Sequence, residues 1–277
     1  MSCDLHCHTK LSDGSVGIEE LIALAKRRGL KTIAITDHDT FAGAVRGVNI
    51  GRRQGIEVLP GAELSAVDPV TGRKVHVLCY NCAAPARLEG LCHRTLENRK
   101  KVATERLRRV LRYYPLPPEM VVRCATGSAA VYIPHIMHAL VDAGYADGLF
   151  GEVHERLFGS KGVANVPEEL PDVREVIDLI HSADGLAVLA HPFVFQSTDL
   201  MEQLVKEGRL DGIEAVHPKQ NESQQAQLTD FAKQHRLLVT GGSDFHGMYS
   251  RKVRAVGSIT VPDELAEELL KYKRVEV

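Results

Sequence analysis

The sequence predicts an α/β fold in which parallel strands alternate with helices around a barrel, and three observations support that prediction. Short β-branched runs recur with amphipathic helical stretches between them, the pattern of a sheet whose crossovers are helices. Histidines and carboxylates fall at the ends of those apolar runs, and in parallel barrels the loops after the strands share one face. The 277 residues are enough to bury one large core and still carry an insertion.

Residues 3–6 read as the first strand, and alternation sends His6 and His8 out of one face. A helix follows at 18–28, closed by Gly29, then a strand at 32–36, a helix at 42–54 closed by Gly55, and strands at 56–60 and 75–80. From 88 to 173 the texture turns to Arg, Lys and helix formers, broken by Pro115, Pro117 and Pro118. One long helix is expected at 89–112, with shorter ones at 136–143 and 153–158. Residues 88–173 are therefore expected to be a mostly helical insertion in a barrel made of 1–87 and 174–277. Strand signals return at 186–190, 212–216 and 237–240, and a closing strand is expected at 255–259.

Composition narrows the partners. Lys plus Arg total 34 and Asp plus Glu 36, a net charge of −2, which argues against long nucleic acid. Trp is absent and aromatics are few, so base-stacking platforms are not expected. No apolar run approaches the ~20 residues of a membrane span. The first strand starts at once and leaves no room for a signal peptide, so the expected location is cytoplasmic. The six cysteines are expected to be free thiols, because Cys79-Tyr80-Asn81-Cys82 has no second pair at zinc-site spacing.

His6, His8, Asp13, His38, Glu63, His76, His191, Asp244 and His246 are the candidate metal ligands. Mixed imidazole and carboxylate suit manganese, iron(II) or zinc. Nine ligands are too many for one ion, so a multinuclear hydrolytic centre is expected. Asp37, and His217 in Val216-His217-Pro218, are candidate proton donors for the leaving group.

The chain resembles the PHP (polymerase and histidinol phosphatase) family of metal-dependent phosphoesterases. The resemblance rests on Asp4-Leu5-His6-Cys7-His8-Thr9, Ser12-Asp13-Gly14, Thr36-Asp37-His38-Asp39, Gly61-Ala62-Glu63, Val75-His76-Val77-Leu78, Ala190-His191-Pro192 and Gly242-Ser243-Asp244-Phe245-His246, in that order. It implies a distorted (β/α)7 barrel and two or three divalent ions (Mn, Fe or Zn). One ion would be held by His6, His8, Glu63 and Asp244. A second would share Glu63 and add His76 and His191, and a third, completing a trinuclear centre, would use Asp13, His38 and His246. The implied reaction is attack of metal-activated hydroxide on phosphorus.

Within the family the chain is most similar to small members that hydrolyse nucleoside 3′,5′-bisphosphates, some of which also trim short oligoribonucleotides from the 5′ end. The shared features are the placement of the insertion, Leu140-Val141-Asp142-Ala143-Gly144, and Lys161. Arg99, His135 and Lys161 are the candidate substrate-phosphate contacts. Tyr132 and Ile133 stand where that branch has a Ser-Arg pair, and Phe193-Val194-Phe195 stands where it has an Arg. Loss of a bidentate phosphate fork is a large chemical change. The alternative is therefore a phosphodiesterase acting on a ribose cyclic phosphate. Either way the expected partner is a small nucleotide or sugar phosphate. The rivals outside this class are an amidohydrolase and a non-catalytic PHP module.

Overall fold

The inward rows of a barrel can be apolar at one end and polar at the other, and this chain is built that way. The computed structural model describes residues 2–272. Among them, strands β1 (Ser2–Cys7), β2 (Thr32–Ile35), β3 (Glu57–Val67), β4 (Lys74–Tyr80), β5 (Leu186–Leu189), β6 (Gly212–Val216), β7 (Leu238–Gly241) and β8 (Val261–Pro262) form one sheet. Its order is β7-β6-β5-β4-β3-β2-β1-β8. Helices α1 (Ile18–Arg27) and α2 (Ala44–Gln54) link the first strands, and α3 (Glu89–Val110), α4 (Pro118–Cys124), α5 (Ile133–Asp142) and α6 (Glu152–Phe158) follow β4. Helices α7 (Val173–Ser182), α8 (Thr198–Lys206), α9 (Glu222–Gln234) and α10 (Asp263–Lys271) accompany the later strands.

Leu5, Ala34, Leu59, Leu78, Tyr80, Leu186 and Val188 pack together as one core. The opposite face of β3 and β4, with Ala62, Leu64, Ala66, Val75 and Val77, packs against Val176 and Ile180 of α7 and Leu204 of α8. Period-two alternation then puts Glu63 in the row of Leu59, and His76 in the row of Leu78 and Tyr80. Helices α3 to α6 gather a core of their own from Val110, Leu116, Val121, Ile136, Leu140, Leu157 and Phe158.

Four sequence expectations change. The strand expected at 56–60 runs on to Val67, so Glu63 lies inside a strand rather than in the loop after it. Strand β4 is antiparallel to both neighbours, β3 and β5. Residues 68–73 are too short for a parallel crossover, and Asp68 closes the hairpin by accepting from Val70 N (3.0 Å) and Thr71 Oγ1 (2.6 Å). This reversal is what brings the first residues of β4, including His76, to the polar end. Residues 255–259 form a turn, and the closing strand is β8, antiparallel to β1. Pro117 and Pro118 start α4 instead of ending structure, because proline suits the first turn of a helix.

The barrel closes on β1. His8 N donates to Phe245 O (2.9 Å) and Phe245 N to His6 O (3.3 Å). Asp4 is fully buried and accepts from Ser243 N (2.8 Å), Ser243 Oγ (2.5 Å) and Gly257 N (2.8 Å). Gly242 permits the approach, since a Cβ there would lie 2.5 Å from His6 N. Asp4→Ala is expected to cost roughly 2–4 kcal/mol, from three hydrogen bonds to a buried carboxylate lost with their donors left unpaired. The check is the denaturant midpoint; an unchanged midpoint would show that Asp4 does not hold the closure.

Candidate metal centre

The nine expected ligands converge. His6 Nε2 and His8 Nε2 lie 3.1 Å apart at the end of β1. Glu63 Oε2 is 3.3 Å from both of those nitrogens and 3.2 Å from His38 Nδ1. Its other oxygen is 2.6 Å from His76 Nδ1 and 3.0 Å from His191 Nε2. One buried carboxylate thus faces five imidazoles. Asp244 Oδ1 lies 3.5 Å from His8 Nε2 and 3.4 Å from His246 Nδ1. Asp13 Oδ1 lies 3.2 Å from His246 Nε2 and 3.8 Å from His38 Nε2. His191 and Asp244 hold positive φ (29° and 50°), a region Asp and His enter more readily than most non-glycine residues.

The residues fit metal ions. His8 Nδ1, Asp13 Oδ1, His38 Nδ1, His76 Nε2 and His191 Nδ1 are buried without a hydrogen-bond partner, an unusual concentration of orphaned polar atoms. In three sets, one ligating atom per residue lies within 4.8 Å of the others: His8, Asp13, His38 and His246; His6, His8 and Asp244; His38, Glu63 and His76. Burial pushes the Glu63 carboxyl up, but His76, His6 and His38 outweigh it and hold it well below the usual carboxylate range. Burial takes His76 down to about 4 despite Glu63, leaving a neutral imidazole. Glu63 and His76 are thus in the ligand forms metals require, whereas the carboxylates around His6 and His8 outweigh burial and raise those two imidazoles, His8 to about 10.

Glu214 was not anticipated. It is fully buried, Oε1 lies 2.8 Å from His6 Nδ1, and Oε2 accepts from His191 N (3.0 Å). The hydrogen bond from His6 Nδ1 leaves Nε2 to face the cluster. One sequence signal existed: an acidic residue in the middle of the apolar run Gly212-Ile213-Glu214-Ala215-Val216. Glu214→Gln is expected to weaken metal affinity about 10- to 100-fold, as loss of a ligand-orienting carboxylate does. Metal titration of the variant checks this, and wild-type affinity would count against it.

The other expected site residues divide. His217 is fully buried, with Nε2 3.3 Å from Asp244 Oδ2, so it joins the cluster. Asp37 has both oxygens occupied, accepting from Thr9 N (2.7 Å), Thr9 Oγ1 (2.7 Å) and Ser12 Oγ (2.6 Å). It braces the loop carrying Asp13 and does not present itself as a proton donor. Arg99 is 5% exposed, and its Nη2 donates to Asp39 Oδ2 (2.7 Å) and Ser65 Oγ (3.0 Å). His135 is buried, and its Nδ1 accepts from Tyr132 N (3.2 Å) as a helix cap. Lys161 is exposed and does not line the cleft beside the cluster.

That cleft has a volume of about 450 Å³. It is lined by Asp13 and His38 of the cluster, by Tyr132 and Glu168, and by the cations Lys74, Arg99 and Arg106. A model of the PHP domain matches residues 4–183. The chain belongs to the PHP family. It is 37% identical to the phosphoribosyl 1,2-cyclic phosphate 1,2-diphosphodiesterase of Eggerthella lenta, over 90% of this chain and 95% of that protein. It is 32% identical to the 5′-3′ exoribonuclease Rnm of Salmonella typhimurium, over 88% of this chain and 84% of the other. A solved structure from Bifidobacterium adolescentis, assigned as a metal-dependent phosphoesterase, superimposes with a TM-score of 0.86 at 29% identity, covering 97% of this chain and 95% of that one. Among the described residues of this PHP protein, no helix is long and apolar enough to cross a membrane.

Proposed function

We propose that this PHP protein is a metal-dependent phosphoric ester hydrolase acting on a small metabolite with two phosphate groups, foremost a phosphoribosyl cyclic phosphate. The observation that carries the reading is Glu63, within 3.3 Å of imidazole nitrogens from His6, His8, His38, His76 and His191. One carboxylate so placed suits ligation of adjacent ions. His6, His8, Glu63 and Asp244 would hold one; Glu63, His76 and His191 a second; Asp13, His38 and His246, with His8 in reach, a third. Manganese, iron(II) and zinc all suit this donor set. When bound, such ions supply a nucleophile from water near neutral pH and offset charge on the phosphoryl oxygens.

The chain's own groups do the rest. His217, held on Asp244, protonates the leaving oxygen. Helices α3 and α5, with the turn before α5, form a lid that limits water and selects substrate. The cyclic ester leads for two reasons. The relative at 37% identity is named for that reaction, and Tyr132 and Ile133 provide no guanidinium where the bisphosphatase branch has its Ser-Arg pair. A nucleoside 3′,5′-bisphosphate or the 5′ end of a short oligoribonucleotide is the second reading, favoured by the likeness to the exoribonuclease. The six cysteines are unpaired, which suits a reducing compartment, and we place the protein in the cytoplasm.

The test is phosphate release by manganese-loaded protein from 5-phosphoribosyl 1,2-cyclic phosphate and adenosine 3′,5′-bisphosphate side by side. Expected is a kcat/KM for the cyclic ester at least about tenfold the higher. Turnover of the bisphosphate alone would select the second reading, and release from neither would overturn both.

A further inference from the structure

The cleft beside the metal cluster gathers three cations, Lys74, Arg99 and Arg106, and not all of them are directly paired. Arg99 and Arg106 lie seven residues apart on α3 and are 5% and 8% exposed. Glu168 bridges them, with Oε2 3.3 Å from Arg99 Nη1 and Oε1 2.9 Å from Arg106 Nη1. Arg106 Nη2 donates to Val166 O (3.0 Å), and the Arg99 guanidinium sits 4.8 Å over the Tyr132 ring. Asp39 takes a second share of Arg99. The third cation, Lys74, comes from the start of β4 and lines the cleft, and among the described residues its ammonium has no hydrogen bond or salt bridge. Glu168 and Asp39 thus pair with the two arginines, and Lys74 is the cleft cation with no direct ion pair among the described residues.

Donors are left over as well. Arg99 Nε, Arg106 Nε and Tyr132 Oη are buried without hydrogen-bond partners, and all three residues line the cleft. Buried donors of this kind normally find acceptors, and guanidinium and ammonium together are the groups that hold phosphate. The same cleft is lined by Asp13 and His38, so an anion in it lies beside the metal centre without displacing its ligands.

We infer that the cleft is the subsite for the non-scissile phosphate of the substrate, with Lys74 as its principal grip, Arg106 beside it and the Tyr132 hydroxyl as an added donor. This rests on the phosphoesterase reading and deepens it by naming the residues that take the substrate's second phosphate, the one away from the reacting phosphorus. It also places the grip on β4 and α3 rather than at Lys161.

The test compares wild type, Lys74→Gln and Lys74→Arg, all manganese-loaded, on ribose 1,2-cyclic phosphate with and without its 5-phosphate. Losing one charge-assisted contact corresponds to about 10- to 100-fold. For Lys74→Gln the rise in KM should be at least about tenfold larger on the 5-phosphorylated ester than on the other, and Lys74→Arg should recover most of it. Equal losses on both esters, or none, would overturn the subsite. Calorimetric binding of ribose 5-phosphate, with inorganic phosphate as the control for the metals, gives a readout independent of turnover. A chain that hydrolyses neither ester, yet loses ribose 5-phosphate affinity selectively in Lys74→Gln, would refute the phosphoesterase reading and keep the subsite. Unchanged ribose 5-phosphate affinity would refute the subsite itself.

Discussion

Glu63→Gln is expected to lower kcat/KM by about 1,000-fold or more, the equivalent of the several kcal/mol that metal-centred charge stabilisation supplies. The two Glu63 oxygens face five imidazole nitrogens at 2.6–3.3 Å. An amide keeps the shape but turns an NH2 group toward two or three of them, depending on which oxygen it replaces, and removes the charge. The flanking Ala62 and Leu64 pack on the opposite face of β3, so the fold should survive, as circular dichroism and a cooperative melt would show. Metal content per chain should fall together with rate. Full metal content and near-wild-type turnover in this variant would remove Glu63 from the centre.

Asp13→Ala is expected to lower kcat by about 100-fold and to remove one ion per chain. Asp13 Oδ1 groups with His8, His38 and His246, whereas His6 and Asp244 belong to a set without it. The loss should therefore be partial in metal, in contrast to Glu63→Gln. Asp37 holds the carrying loop through Thr9 and Ser12, and that brace does not depend on Asp13. Elemental analysis beside steady-state rates checks the pairing. Unchanged metal content would mean that Asp13 serves the site by some other route.

Much of this was legible in the sequence because it is local. The H-x-H spacing fixed a shared face for His6 and His8, and each later ligand stood beside an apolar run. Strand direction was not legible: Val75–Tyr80 alternates identically read either way, and only the short 68–73 hairpin reverses it. Pro60-Gly61 hid the continuation of β3, because proline and glycine usually punctuate a strand, although Ala62, Leu64 and Ala66 alternate with Glu63 and Ser65 beyond them. Glu214 was hidden as one carboxylate inside an apolar strand with no motif around it. Arg99 and Lys74 depended on contacts between α3 and the β3–β4 hairpin, which no local pattern encodes.

The most direct test of the account is to count metal and phosphate release in the same samples: protein as purified, protein stripped by chelator, and stripped protein resupplied with manganese. Hydrolysis of 5-phosphoribosyl 1,2-cyclic phosphate should vanish with the metal and return with it in wild type, and should not return in Glu63→Gln. Hydrolysis that persists in the stripped chain, or that returns equally in the Glu63 variant, would contradict a catalytic metal centre built around this carboxylate.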